Sequence, residues 1–121
     1  MSLNQTNEYL DLVLLEQYLN SIGKAVVEQM FGLYCQQVNT YLADIEKASA
    51  DKCIIEWRQH CHKMKGAAGS VGMKVLSEGL KKLEALDVLR LDDAANLVID
   101  LRKQNKQSIA VFKIWLEGLT Q

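Results

Sequence analysis

Apolar side chains recur along this chain at steps of three and four residues, which places them on one face of an α-helix. The strict two-residue alternation that marks strands is missing, and proline is absent. The pattern predicts five helical segments, which span roughly residues 7–20, 23–48, 52–69, 73–87 and 93–119. The first segment is short, so we expect it to lie over one end of a body formed by the other four.

Residues that start or end helices support these boundaries. Thr6 is predicted as the N-cap of the first segment and Asp92 as the N-cap of the fifth. Ser49–Asp51 breaks the pattern of the second segment and offers a cap to the third, and Ser70–Gly72 is the turn between the third and the fourth. Because that turn is short, the third and fourth helices are predicted to be antiparallel neighbours.

The core-facing stripes follow from the same spacing. In the first segment the stripe is Leu10, Val13, Leu14 and Tyr18. In the second it is Val26, Val27, Met30, Leu33, Tyr34, Val38, Tyr41, Leu42 and Ile45. In the third it is Ile54, Trp57, Cys61, Met64 and Ala68, and in the fifth it runs from Leu97 to Leu119 with polar Gln104 and Asn105 interrupting it. Long amphipathic segments joined by tight turns predict an all-α fold, an antiparallel up-down-up-down four-helix bundle with a short additional N-terminal helix.

The length of the chain, 121 residues with 49% hydrophobic side chains, suits one domain with one core. We therefore predict a single domain over residues 1–121, with an N-terminal helix in 4–22 and the bundle in 23–119. Residues 1–3 resemble an addition from a cloning vector, which favours a domain excised from a larger protein.

Charge and cysteine content narrow the possible functions. The formal net charge is −1, so no basic field attracts nucleic acid or an anionic membrane surface. No apolar run approaches the roughly 20 residues that cross a bilayer, and no secretory leader is evident. Cys35, Cys53 and Cys61 are too few and too widely spaced for a disulfide framework. Free thiols in a reducing compartment, the cytoplasm, are expected.

The third helix has a second face, away from its core stripe, that carries the candidate chemistry. His62 follows core position Cys61, so its side chain points about 100° away from the core. Lys65 and Gly66, three and four residues further on, are its surface neighbours. The same face comprises Ile55, Arg58, His62, Lys65, Gly66 and Gly69.

Glycine inside a helix costs about 0.5–1 kcal/mol relative to alanine, and this helix carries Gly66 and Gly69 beside an exposed histidine. We interpret them as a surface without Cβ atoms, over which the backbone of another protein can come close to the imidazole. A neutral imidazole is a good nucleophile towards phosphorus near neutral pH.

Three further side chains have predicted roles in such chemistry. Lys65 would neutralise charge on a phosphoryl group, and Arg58 would add positive potential at the edge of the site. The second ring nitrogen needs an acceptor that fixes the tautomer, and Glu84 on the adjacent fourth helix is the candidate.

The run HKMKGAAGSVG, from His62 to Gly72, resembles the signature of histidine-containing phosphotransfer (HPt) domains. That signature has a histidine, a lysine three residues on, a glycine next to the lysine, small residues, and another glycine six residues after the first. Leu76, Leu80 and the Leu83–Glu84 pair match the following helix of the family. The chain is particularly similar to the C-terminal HPt domains of hybrid sensor histidine kinases of the ArcB and TorS type.

The resemblance implies a four-helix bundle with a short N-terminal helix, and it implies roles for individual residues. His62 would be the phosphoacceptor, Lys65 its electrostatic partner and Gly66 its steric clearance. Gly79 stands where alanine is commoner in the family, and either residue permits close helix packing.

The resemblance also implies a phosphorelay, in which His62 accepts a phosphoryl group from a receiver-domain aspartate and passes it to another response regulator. The expected partners are response-regulator receiver domains and a sensor kinase, without nucleic acid or direct membrane contact. We expect a cytoplasmic monomer, part of an inner-membrane sensor kinase. The chain shows no nucleotide-binding glycine loop, so it would be a phosphoryl carrier with no cofactor of its own. Mg²⁺ is expected in the receiver. The apolar and small residues that flank His62 would form the docking patch for the receiver, and Ile55 and Met73 are proposed within it.

Several simpler interpretations stay open. His60 is better interpreted as a partly buried structural histidine, and the run from His60 to His62 cannot converge on one metal ion, because successive helical residues diverge. Gly69 also suits close helix packing, and Glu84 also suits an ordinary surface position. At the level of function, the alternatives are a non-phosphorylated interaction or decoy module that binds receiver or kinase domains, and a small enzyme with a histidine general base.

Overall fold

The computed structural model describes residues 3–87 and 91–119, and within its helices the side chains of 3–5 and 91–92 are not described. Over these residues the chain forms six helices and no strand. They are α1 (Leu3–Tyr9), α2 (Leu12–Ser21), α3 (Lys24–Ala50), α4 (Ile54–Ser70), α5 (Lys74–Glu84) and α6 (Leu91–Glu117).

The last four helices form the predicted all-α, antiparallel four-helix bundle. Helix α4 packs against α3 and α5, and α6 closes the ring against the same two helices. Helix α2 packs on α3, and α1 lies against α5 and α6. None of the described helices is both long enough and apolar enough to span a bilayer.

The core lies where the α4 stripe points. Trp57, Cys61, Met64 and Ala68 have no exposed surface, as their spacing predicts. The indole Nε1 of Trp57 donates to the carbonyl of Leu83, 2.8 Å away, so the largest core side chain also satisfies its polar atom. This bond ties the middle of the bundle to the end of α5.

The stripe predicted for α3 is too wide. Val26 and Leu33 were predicted to be in the core, but 38% and 55% of their surface is exposed. Val27 and Tyr34, their neighbours in sequence, are buried instead. Consecutive helical residues point about 100° apart, so only one of each pair can face the core.

The N-terminal region departs from the prediction of one continuous helix. Thr6, the predicted N-cap, is a buried residue inside α1, and the helix ends at Tyr9. Asp11 caps α2 instead, with its Oδ1 accepting from the Leu14 amide at 3.1 Å. Leu10 lies between the two helices and is fully buried. The apolar period continues across this break, which is why the spacing alone did not show it.

Other boundaries shift by a few residues. Helix α3 continues through Ala50, and Cys53 rather than the predicted Ser49–Asp51 stretch precedes α4. Lys52, predicted as the start of the third helix, has a positive φ of 53° and lies in the turn between α3 and α4. Helix α6 begins by Leu91, and the side chain of Asp92, the predicted cap, lies outside the described residues.

The polar interruption of the α6 stripe has a structural cause. The buried Tyr34 hydroxyl donates to Oδ1 of Asn105 at 2.7 Å, which satisfies both groups between α3 and α6. Gln104 lies over Gly79 of α5, where a Cβ atom would stand 2.9 Å from its Oε1. Asn105 and Gln104 therefore lie at contacts between α6 and its neighbouring helices. Gly79 permits the close packing of α5 and α6 that was predicted for it.

Candidate functional site

His62 lies midway along α4 and points away from the bundle. Its side chain is 66% exposed, whereas Cys61 and Met64, on the core stripe of the same helix, are fully buried. The helix geometry places the imidazole on the surface as its position in the sequence predicts. The ring is therefore open to a visiting protein.

The carboxylate of Glu84 joins His62 to Lys65. Its Oε1 lies 2.6 Å from Nδ1 of the imidazole, and its Oε2 accepts from Nζ of Lys65 at 2.5 Å. The Glu84 and Lys65 side chains are each about three-quarters buried. Glu84 thus occupies the position proposed for the acceptor of the second ring nitrogen, and it crosses from α5 to two residues of α4.

Electrostatics keep this carboxylate ionised. The hydrogen bond from the Lys65 ammonium holds the pKa of the Glu84 carboxyl below its usual value; partial burial opposes this effect, and the bond with His62 reinforces it. An ionised carboxylate only accepts hydrogen bonds, so Nδ1 of His62 must carry the proton. In the neutral ring the lone pair then lies on Nε2, the nitrogen that does not contact Glu84.

The two glycines of α4 have different surroundings. A Cβ atom on Gly66 would meet no atom within 4 Å, so nothing inside the bundle requires glycine there. The backbone beside the imidazole is bare and exposed, as the clearance hypothesis requires. A Cβ on Gly69 would lie 3.3 Å from Oγ of Ser77 on α5. Gly69 therefore fits the alternative interpretation, close packing of two helices.

Arg58 is engaged with the chain that follows α5. Its Nε and Nη2 donate to the carbonyl of Leu86 at 3.1 and 2.8 Å, and Nη2 lies 3.9 Å from a carboxylate oxygen of Asp87. The guanidinium still lines an open groove of about 610 Å³ that reaches the imidazole. The groove is lined by Arg58, Gln59, His62, Lys63 and Glu84. Arg58 thus combines an anchoring contact with positive charge at the edge of the site.

His60 and the cysteines lie apart from this arrangement. The His60 side chain is mostly buried against α3, with Nδ1 3.8 Å from a carboxylate oxygen of Asp44, which agrees with the predicted structural role. Cys35, Cys53 and Cys61 are free thiols. Burial raises the pKa of Cys61 to about 12, so this thiol stays protonated at neutral pH. No three His, Cys, Asp or Glu side chains are grouped for a metal ion within the described part of the chain.

The two residues predicted for the docking patch have opposite surroundings, and only Ile55 is open to a partner. Ile55 is 65% exposed on the face of His62. Met73 is fully buried and pairs with Leu10 through a backbone bridge, so it cannot contact a partner. Its position at the α4–α5 turn places it under the N-terminal region, a long-range contact that its local sequence does not reveal.

Sequence reasoning missed an apolar groove on the other side of α4. The groove, about 210 Å³, lies between α3 and the C-terminal half of α4. Its lining is Met30, Leu33, Tyr34, Gln37, Ala67, Ser70 and Val71. The sequence signal for this groove is Leu33, which the apolar spacing of α3 assigns to the core although 55% of its surface is exposed. Ala67 in this lining directly follows Gly66 in the chain.

Comparison with known proteins shows what this chain is similar to in sequence and in fold. Residues 29–111 match the Hpt domain family. The aerobic respiration control sensor protein ArcB of Escherichia coli (strain K12) is 25% identical over 122 residues, and the ArcB protein of Shigella flexneri matches equally. These matches cover 98% of this chain but only 15% of each relative.

Two solved structures show the same fold. The histidine-containing phosphotransfer domain of ArcB from Escherichia coli superimposes with a TM-score of 0.86, at 23% identity, over 96% of this chain and 99% of that one. A solution structure of the same ArcB domain gives a TM-score of 0.84, at 23% identity, over 98% and 95% of the two chains. The resemblance to the ArcB type of HPt domain is thereby confirmed.

Proposed function

The chain belongs to the Hpt domain family, and from this premise we propose that it carries phosphoryl groups between receiver domains of a phosphorelay on Nε2 of His62. One observation carries the proposal: an outward imidazole whose Nδ1 meets the Glu84 carboxylate at 2.6 Å, beside bare backbone at Gly66. The arrangement leaves one nucleophilic nitrogen, in a fixed tautomer, open to a partner.

The reaction is a displacement at phosphorus. The lone pair of Nε2 attacks the phosphoryl group of a receiver aspartate, and the N–P bond forms as the P–O bond breaks. The electron pair of the broken bond leaves on the aspartate carboxylate. Nδ1 keeps its proton, so positive charge develops on the ring and the Glu84 carboxylate offsets it. Transfer to a second receiver reverses these changes at a new aspartate.

Lys65 acts on the oxygen side of the group being transferred. Its ammonium lies one helical turn from His62 and is held in place by Glu84. The cation offsets negative charge on the phosphoryl oxygens as the group arrives. Mg²⁺ and the aspartate are assigned to the receiver domain, as the family resemblance implies.

The surface around His62 suits an approaching receiver. Gly66 offers open backbone, and Ala67, the next residue, lines the apolar groove that includes Leu33. The groove that contains Arg58 and Lys63 includes the imidazole and carries positive charge towards the acidic active site of a receiver. Exposed Ile55 extends this surface along α4.

The larger setting is also a proposal. The chain spans about 15% of the length of the ArcB relatives it matches. We place it as a monomeric, cytoplasmic domain of a hybrid sensor kinase, with residues 1–121 as one HPt unit. The kinase and receiver modules that supply its phosphoryl group belong to the rest of such a protein or to separate partners.

A transfer assay tests the function. The chain is incubated with a phosphorylated receiver, and we expect acid-labile, alkali-stable phosphate on it. His62→Gln should abolish the label, whereas His60→Gln, the same change two residues away, should keep it. Label that persists in His62→Gln would reject His62 as the acceptor. Binding without label, over several receivers, would support the interaction or decoy module instead.

A further inference from the structure

The α4–α5 turn, residues 70–74, is attached to the N-terminal region through the backbone. The Asp11 amide donates to the carbonyl of Gly72 at 2.8 Å, and Leu10 pairs with Met73 in an isolated bridge. Both Leu10 and Met73 are fully buried. Residues between α1 and α2 therefore hold the two helices of the site at the point where they join.

Two side chains of α2 hold the same turn. The Tyr18 hydroxyl donates to the carbonyl of Ser70 at 2.9 Å. Leu15 is fully buried against Gly72, whose φ is +75° and where a Cβ atom would stand only 2.9 Å from Cγ of Leu15. The left-handed backbone at Gly72 and the tight packing of Leu15 against it restrict this turn to one conformation.

This turn bears on the site because it joins the helix that carries His62 to the helix that carries Glu84. Helix α5 has only 11 residues. Its far end is anchored by bonds from Trp57 and Arg58 to the carbonyls of Leu83 and Leu86. Its near end depends on the turn, so loosening the turn would let this short helix tilt about its anchored end, where Glu84 lies.

The contacts between the two helices tolerate little displacement. Ser77 of α5 lies against Gly69 and its Oγ is 3.5 Å from the carbonyl of Lys65. The bond from Glu84 to His62 Nδ1 crosses the same pair of helices at 2.6 Å. A shift of about 1 Å would lengthen this bond to roughly 3.6 Å, beyond hydrogen-bonding distance.

We propose that Leu15 and Tyr18 are positioning residues for phosphotransfer, which hold the α4–α5 turn and thereby keep Glu84 on Nδ1 of His62. The expected effect on the rate of phosphotransfer rests on the proposed function. The expected effect on the tautomer of His62 does not. Neither side chain contacts the reacting atoms, so each acts through Glu84.

Two variants test this, each with a matched control. Tyr18→Phe removes only the hydroxyl that holds Ser70, and Tyr9→Phe makes the same change in α1. Leu15→Val removes one methylene from the packing on Gly72, and Leu101→Val makes the same change in the core of α6. Both Leu15 and Leu101 are buried, so the two variants report comparable losses of packing.

The direct readout is the tautomer of His62, measured by ¹⁵N NMR of the imidazole at a pH where the ring is neutral. In the wild type we expect the proton on Nδ1. In Tyr18→Phe and Leu15→Val the population with the proton on Nε2 should rise, and transfer from a phosphorylated receiver should slow about twofold to tenfold at saturating receiver. The controls should match the wild type in both readouts, at similar thermal midpoints.

A double-variant cycle separates positioning from a general loss of structure. If Leu15 acts through Glu84, Leu15→Val should slow transfer little in a Glu84→Gln background. Equal slowing in both backgrounds, or equal behaviour of test and control variants, would overturn the inference. The ¹⁵N shifts are read without a receiver, so they decide the positioning role even if the wild type takes no label and the proposed function fails.

Discussion

The carboxylate of Glu84 and the imidazole of His62 meet at 2.6 Å from two different helices, 22 residues apart in the chain. The carboxylate also accepts from Lys65, so one side chain of α5 orders two side chains of α4. This relationship determines which ring nitrogen is protonated and which is available for phosphorus.

Glu84→Gln should slow phosphotransfer by about tenfold, because a neutral amide replaces the carboxylate that offsets the positive charge developing on the ring. A glutamine amide can donate or accept, so the ring loses its fixed tautomer. Single-turnover transfer from a phosphorylated receiver measures the effect. Glu78→Gln, an exposed position on the same helix, is the matched control and should transfer at the wild-type rate. Equal rates for the two variants would remove Glu84 from the mechanism.

The Glu84 pairing should contribute stability that depends on pH. Because Lys65 lowers the pKa of Glu84 in the folded state, the contribution is complete above the usual value of 4.5 and is lost as the pH falls through the lowered value. Urea unfolding of the wild type and of Glu84→Gln, from pH 7 to pH 3, measures it. The gap between the two proteins should narrow only below about pH 4.5. A gap that stays constant down to pH 3 would contradict the shift.

A side chain at position 66 in place of Gly66 should stabilise the helix, and a bulky one should also slow phosphotransfer. Gly66→Ala should stabilise the helix by about 0.5–1 kcal/mol, since nothing lies within 4 Å of the new Cβ. Gly66→Leu should keep helix content while slowing transfer, because the side chain occupies the approach to the imidazole. Gly32→Leu on α3 also meets nothing within 4 Å at its Cβ and serves as the control. Wild-type transfer by Gly66→Leu would refute the clearance argument.

The Tyr34–Asn105 pair should matter for folding and not for chemistry. Asn105→Leu leaves the buried Tyr34 hydroxyl without its acceptor and should cost about 1–3 kcal/mol in the free energy of unfolding. Adding Tyr34→Phe removes the stranded hydroxyl and should recover part of that loss, which urea titration measures. If the double variant is no more stable than Asn105→Leu alone, the hydrogen bond to Tyr34 is not the source of the stability that Asn105 provides.

The helical elements and the face of His62 could be predicted because they depend on local spacing. One residue after Cys61 on a core stripe must point outward, and Lys65 and Gly66 follow on that surface by helix geometry. The prediction that Glu84 lies beside His62 was weaker, because it depended on how two helices pair and not on spacing within one helix. The short turn between α4 and α5 indicated that the two helices are antiparallel neighbours. Its second contact, with Lys65, was not predicted.

What the sequence by itself determined is the period of its apolar residues and, through it, the helices, the four-helix bundle and the outward imidazole. Only the tertiary structure decided that the first segment breaks at Leu10, that Met73 is buried beneath it, and that Leu33 is exposed. These outcomes depend on contacts between residues far apart in the chain, and a helical period is unchanged whether a side chain on it meets a distant partner or water. The spacing records which face a residue occupies, while packing decides what covers that face.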